Sequence, residues 1–297
     1  MRKSMHNLPL PPIWNVVLFG ITIFTLFFAF IPAQAFATVT FGTFGALGVI
    51  ILYTFFCLSN LTAPWVVKKL GVSISMALGG LGYVPFVLAI STESKILFII
   101  GSVTCGAGAA LLWVGIGTSV TYMSSAATRG RRFGVFSFVN RLNFVGSLTV
   151  GVLFSTGSTR EQVFLYLTIV LIVACFLIGL FGYLVLTPLE RKCLAAAKLQ
   201  QEEQEEQEEQ EEHEETIATT SSNAININQM NDDDNRTDFS SILRIFTDKK
   251  FVPFLITNFL VCGFVKGWVF AVMTTFAPDL SSVGYMMSLY GCFVVIR

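Results

Sequence analysis

The sequence predicts an all-α membrane protein, a bundle of transmembrane helices, and three observations carry that prediction. A soluble domain carries about 25% charged residues. This chain of 297 residues carries 13%, with 54% hydrophobic residues and a mean hydropathy of +0.69. Uncharged runs recur along it: residues 47–67 hold 21 positions without Asp, Glu, Lys, Arg or His, and a helix of that length rises about 30 Å, the depth of a bilayer's hydrocarbon core. The acids avoid these runs, since ten of the 19 lie between Glu202 and Glu215 and none falls inside an apolar segment.

Taken in order, residues 1–12 form a tail with Arg2 and Lys3 that ends in Pro9, Pro11 and Pro12. The first span covers residues 13–36, interrupted only by Pro32 near its far end. A basic start, an apolar run and Ala33-Gln34-Ala35 also resemble a cleavable signal. The run exceeds a signal core of roughly 7–15 residues and a second span follows closely, which favours an uncleaved helix. The second span, 47–67, ends on Lys68-Lys69 and Gly71, a short inside turn. Residues 73–90, 96–122, 133–154 and 163–186 complete six spans. Lys68, Lys69, Arg129, Arg131 and Arg132 fall in loops on one side, against Lys95 and Arg160, each beside an acid, on the other. The positive-inside rule therefore places the N-terminus and the segment after the sixth span in the cytoplasm.

From Pro188 the composition changes to QQEEQEEQEEQEEHEE and SSNAININQMNDDDN. Nothing in residues 188–250 could bury a core, so this is a low-complexity acidic linker. Asn235-Arg236-Thr237 matches a glycosylation sequon, accidental on a cytoplasmic segment. Residues 251–297 start a second membrane half with a seventh run at 252–276, a loop holding Asp279 and an eighth run at 283–296. The eighth run has 14 residues, short of the roughly 17–25 a span needs. The expectation is a truncated eighth helix and a chain that is a fragment of a longer protein.

Few residues could carry chemistry. The six cysteines have irregular spacing and lie mostly in apolar segments, where they act as small fillers, with neither a disulfide framework nor a metal site indicated. Both histidines, His6 and His213, lie in tails, and no catalytic constellation or phosphate loop appears. The reading is no enzyme, no cofactor, no metal and no nucleic-acid partner. Arg141 sits eight residues into the fifth run, flanked by Asn140 and Asn143. It either faces an interhelical cavity or snorkels to the interface. Asn140, Phe144 and Ser147 share one helix face. Lys266, fourteen residues into the seventh run, either contacts a ligand or reaches the outer interface beside Trp268. Gly101, Gly106, Gly108, Ala109, Ala110, Gly115 and Gly117 form a small-residue pattern that lets helix backbones approach closely in lipid.

Six spans, a charged linker and resumed spans resemble the plan of the major facilitator superfamily, whose two six-helix halves are repeats. The segments FTLFFAFIPAQ (24–34), LGVIILYTFFCLSNLTAPWVVKKLG (47–71), GAGAALLWVGIGT (106–118) and FGVFSF (133–138) are similar to the N-terminal half of its Unc-ninety-three family of ion channel regulatory proteins. Lys68-Lys69 stand where the superfamily's general sugar and drug transporters carry an Asp-Arg pair. The resemblance implies a major-facilitator-like bundle in a lipid bilayer, of the plasma membrane or an endomembrane. It implies regulation of an ion channel or other membrane partner, or movement of a small solute. The alternatives are a secondary active transporter working by alternating access and a non-functional truncated fragment. Because the first and fourth helices of that superfamily line a central cavity, the resemblance makes Gln34 and Trp113 cavity candidates, beside Arg141, Asn140 and Lys266.

Overall fold

The computed structural model describes residues 11–125 and 127–195. Lys266 and the expectations for the tail at 1–10, the linker beyond 195 and the seventh and eighth runs lie outside the described residues. Among the described residues every regular element is helical, as a bilayer requires of a chain without a closed barrel, because each helix satisfies its own backbone.

The first span, α1 (Ile13–Phe41), runs five residues past the point expected from sequence and carries Pro32 inside it. Proline lacks an N–H, so the carbonyl four residues earlier, at Phe28, loses its helical partner. The second span breaks into α2 (Thr43–Asn60) and α3 (Ala63–Leu70), with Pro64 at the start of α3. The third breaks likewise into α4 (Val72–Leu81) and α5 (Val84–Thr92), where Pro85 occupies the first turn. Proline suits a helix start, whose first amides have no partner anyway, so each restarts a helix that Leu61-Thr62 or Gly82-Tyr83 has interrupted. Gly71 joins α3 to α4 alone, at φ +83°, a left-handed conformation that glycine adopts without steric cost.

The fourth span is the unbroken α6 (Lys95–Tyr122), capped where Ser94 Oγ accepts the Leu97 amide at 3.4 Å. The fifth breaks into α7 (Arg129–Arg141) and α8 (Phe144–Ser155), although no proline is present. The sixth begins as α9 (Arg160–Phe181) with a reciprocal cap between Thr159 and Gln162. It passes through a π turn, Gly182–Leu186, and stays helical to Ala195. The widened turn is held from both sides: Ser73 Oγ on α4 donates to the Gly182 carbonyl at 2.9 Å, and Thr187 Oγ1 donates to it at 3.1 Å.

α1 is the centre of the bundle, packed against α7, α8 and α9 on one flank and α2 and α5 on the other, while α6 packs against α2, α4 and α5. Phenylalanines seal the joints: Phe19 stacks on Phe136 and Phe181, and Phe36 meets Phe154 and Phe164. The small residues of α6 work as their pattern predicts. A Cβ built on Gly106 would stand 2.3 Å from the Leu52 carbonyl oxygen, and one on Gly108 would stand 2.4 Å from that of Gly79. Gly117 is the exception, with open space around it. Gly146 of α8 approaches the Phe28 oxygen so closely that a Cβ would lie 2.0 Å from it. The carbonyl that Pro32 releases is thus met by a bare helix backbone, whose Cα–H can offer a weak hydrogen bond.

The two ends differ. At the basic end, Arg132 Nη1 donates to the Pro11 carbonyl at 2.9 Å and to the Met123 carbonyl, tying the start of α1 to the loop before α7. Exposed Trp65 lies under Lys69 there, with Nζ 4.9 Å from the ring. At the opposite end Glu93, left-handed at φ 53°, pairs with Arg160, and Ser91 Oγ donates to the Glu161 carbonyl at 3.1 Å.

Candidate functional site

In lipid, a polar side chain inside a span must find a partner or face water, because leaving it bare costs on the order of several kcal/mol. Most of the polar residues here back-bond to their own helix or reach a neighbour's carbonyl, as Thr104 Oγ1 does to Gly82 at 3.1 Å. The group on α1, α2, α5 and α6 behaves differently. Gln34 is 7% exposed, and its Nε2 donates to the hydroxyl of Tyr53 on α2 at 2.8 Å. That leaves the Gln34 Oε1 acceptor and the Tyr53 proton uncommitted among the described residues. Two turns back along α1, Phe27 faces Trp113 of α6, ring centroids 5.6 Å apart. Trp113 is 40% exposed, and no described residue accepts from its indole N–H. Between the two pairs Tyr83 packs edge-on to Phe30 at 4.7 Å and to Phe27 at 6.2 Å. It is 1% exposed, and no described residue pairs with its hydroxyl.

Charge is absent from this surface. α1, α2 and α5 contain no ionisable Asp, Glu, Lys, Arg or His, and α6 contains only Lys95 at its first position. Among the described residues no group of three His, Cys, Asp or Glu could hold a metal ion.

The structure brings Gln34 and Trp113 onto one surface through Phe27, Phe30 and Tyr83, and it adds Tyr53, which the site reading from sequence passed over. Tyr53 stood out in the sequence as a position of the family resemblance, within LGVIILYTFFC, but not as a site residue, because its partner is on another helix. Asn140 and Arg141 lie elsewhere. Asn140 is 8% exposed, on the face of α7 turned to α1, and its Oδ1 has no partner. Ser147, two turns on, shares that face and is likewise buried and unpaired. Between them the backbone tightens: the amides of Leu142 and Val145 turn to Val139 and Leu142, three residues back instead of four. That is a 3₁₀ pattern, and it releases the carbonyls of Phe138 and Arg141 from α-helical pairing. Arg141 points the other way. It stands in an exposed stripe of Gly134, Phe138, Arg141, Val145, Leu148 and Val152, whose three- and four-residue spacing is one helix face. It makes no ion pair or hydrogen bond among the described residues.

Six helices long and apolar enough to cross a bilayer, among the described residues, define a multi-pass α-helical membrane protein. The profile of the family described as ion channel regulatory protein UNC-93 matches residues 41–294, and the chain belongs to that family. Among curated relatives it is 29% identical over 188 residues to the UNC93-like proteins MFSD11 of Xenopus tropicalis and Xenopus laevis, covering 59% of this chain and 41% of each relative. It is 31% identical over 129 residues to UNC93-like protein 3 of Arabidopsis thaliana, covering 41% of this chain and 28% of that protein. The chain thus spans less than half the length of these relatives. A crystal structure of the peptide transporter POT in complex with sulfate superposes with a TM-score of 0.49 at 15% identity, over 90% of this chain and 52% of that one.

Proposed function

We propose that this chain provides the solute-recognising half of a small-solute carrier of the UNC-93 family, with the shared surface of α1, α2 and α6 as the recognition surface. In this reading residues 13–187 are the first half, 188–250 the cytoplasmic linker and 251–297 the start of the second half, and no span residue acts as an enzyme's catalyst. The observation that carries it is the Gln34–Tyr53 pair, whose remaining donor and acceptor lie in the membrane with no described partner. Such groups are stable only against water or a ligand.

Cys57 tests it, because it is exposed and one turn from Tyr53 on the same face of α2. In a variant keeping Cys57 as its sole cysteine, a charged methanethiosulfonate should modify Cys57. It should not modify a control variant without Cys57 that carries Phe176→Cys on the exposed side of α9. If Cys57 reacts no faster than that control, the surface faces lipid and the reading fails.

A second reading, regulation of a channel, is favoured by Arg141 on its apolar stripe, where a membrane partner could cover the charge. Whole-cell currents that change on expression of the chain and revert with Arg141→Leu at equal surface abundance would support it; currents unaffected by Arg141→Leu would count against it.

A further inference from the structure

We infer that the recognition surface selects an uncharged, planar aromatic molecule bearing both a hydrogen-bond donor and an acceptor. The inference rests on the solute reading above and adds the chemical class of the ligand. Three features of the surface converge on it.

The first is charge. A bound cation or anion would be taken out of water beside α1, α2, α5 and α6, where the sole ionisable carboxylate, imidazole, ammonium or guanidinium group is that of Lys95 at the end of α6. Lys95 lies near the Phe44 ring at the helix entrance, Nζ to centroid 5.7 Å, eighteen residues and about 27 Å from Trp113. A charge desolvated without a partner is strongly disfavoured, so the surface discriminates against both signs.

The second is shape. Trp113 presents a large part of its indole to the surface while Phe27 backs it at 5.6 Å and 35° between planes. Phe30 and Tyr83 continue the aromatic wall toward Gln34. Aromatic pairs favour offset or edge-on partners at about 4.5–7 Å, so a flat ring entering over Trp113 extends a stack already begun.

The third is the set of polar groups. Tyr53 holds a hydroxyl proton, Trp113 an N–H, and Gln34 an Oε1 lone pair, all uncommitted among the described residues, while Tyr83 is buried behind them. Gln34 and Phe27 are seven residues apart on α1, roughly 10 Å along the axis. A two-ring molecule with a polar substituent can lie over Trp113 and reach the Gln34–Tyr53 pair. A purely apolar ring would leave these three groups unpaired, so the polar substituent is part of the requirement.

Three naphthalene probes of matched size test the class at pH 7: the neutral naphthalene-2-carboxamide, the anionic 2-naphthoate and the cationic 2-naphthylmethylammonium. Binding to the chain in proteoliposomes is read by equilibrium dialysis against protein-free liposomes of the same lipid, which removes partitioning. The carboxamide should bind at least about tenfold more tightly than either ion. Gln34→Leu and Tyr53→Phe should each weaken it by up to about tenfold, the equivalent of one hydrogen bond. Trp113→Leu should weaken it more than Trp113→Phe, which keeps a ring and loses the N–H. Tighter binding of either ion, equal binding of all three, no binding of the carboxamide, or insensitivity of its binding to all four variants would overturn the inference. Modification of Cys57 separates the two failures: if Cys57 reacts and the carboxamide does not bind, the solute reading stands and only the ligand class falls.

Discussion

Substitution of Gly146 by alanine should separate α8 from α1, and the size of the effect follows from one distance. The added Cβ would lie 2.0 Å from the Phe28 carbonyl oxygen, whereas ordinary contact begins at 3.4 Å. The obstacle is backbone of the central helix α1, so no side-chain rotation relieves it, and α8 must move by more than an ångström. Overpacking of this kind costs about 1–3 kcal/mol. Alanine returns about 0.5–1 kcal/mol over glycine within a helix, leaving a net loss of up to roughly 2.5 kcal/mol. Gly117 is the control, since its built Cβ meets nothing within 4 Å. There only the propensity gain of about 0.5–1 kcal/mol remains, with the opposite sign. The assay is the fraction of monodisperse protein surviving a temperature series in detergent, read by size-exclusion chromatography. Gly146→Ala should lower the apparent midpoint and Gly117→Ala should hold or raise it. A Gly146→Ala variant as stable as the parent, or a Gly117→Ala variant equally damaged, would refute the close-approach argument.

Two further outcomes are expected. Ser73→Ala removes one donor from the Gly182 carbonyl, at about 0.5–1.5 kcal/mol; adding Thr187→Val should cost more, since only the Thr187 amide then serves that carbonyl, and the same melting series reads both. On intact cells, Ser221→Cys in a cysteine-free background should resist an impermeant thiol reagent and react after permeabilisation, because the Lys/Arg bias predicts a cytoplasmic position for residues 188–250. Labelling of intact cells would reverse the topology.

The six spans among the described residues and their approximate limits were legible in the sequence, because hydropathy is summed along one segment and needs no knowledge of its neighbours. Two breaks were within reach as well, since Pro64 and Pro85 mark helix starts by local chemistry. The break at Leu142-Asn143 and the π turn at Gly182 carry no proline. The π turn is held from outside by Ser73, more than a hundred residues away, and no local window contains that partner. The small-residue pattern of α6 announced close packing, yet only the fold distinguished Gly106, pressed on the Leu52 carbonyl, from Gly117, which touches nothing.

The candidate residues divide the same way. The sequence picked out Arg141 as the charge within the fifth run and Asn140 as its neighbour, but periodicity could not say which face was covered. The fold buried Asn140 toward α1 and left Arg141 on the exposed stripe, because adjacent positions on a helix point about 100° apart. Gln34 and Trp113 entered only through a family resemblance. What joined them was the meeting of α1, α2 and α6, which placed the Tyr53 hydroxyl 2.8 Å from Gln34 and the Phe27 ring against Trp113. Membership of the membrane is a property of composition, written along the chain; the surface that joins Gln34, Tyr53 and Trp113 is a property of which helices pack side by side, and that is decided only when the bundle closes.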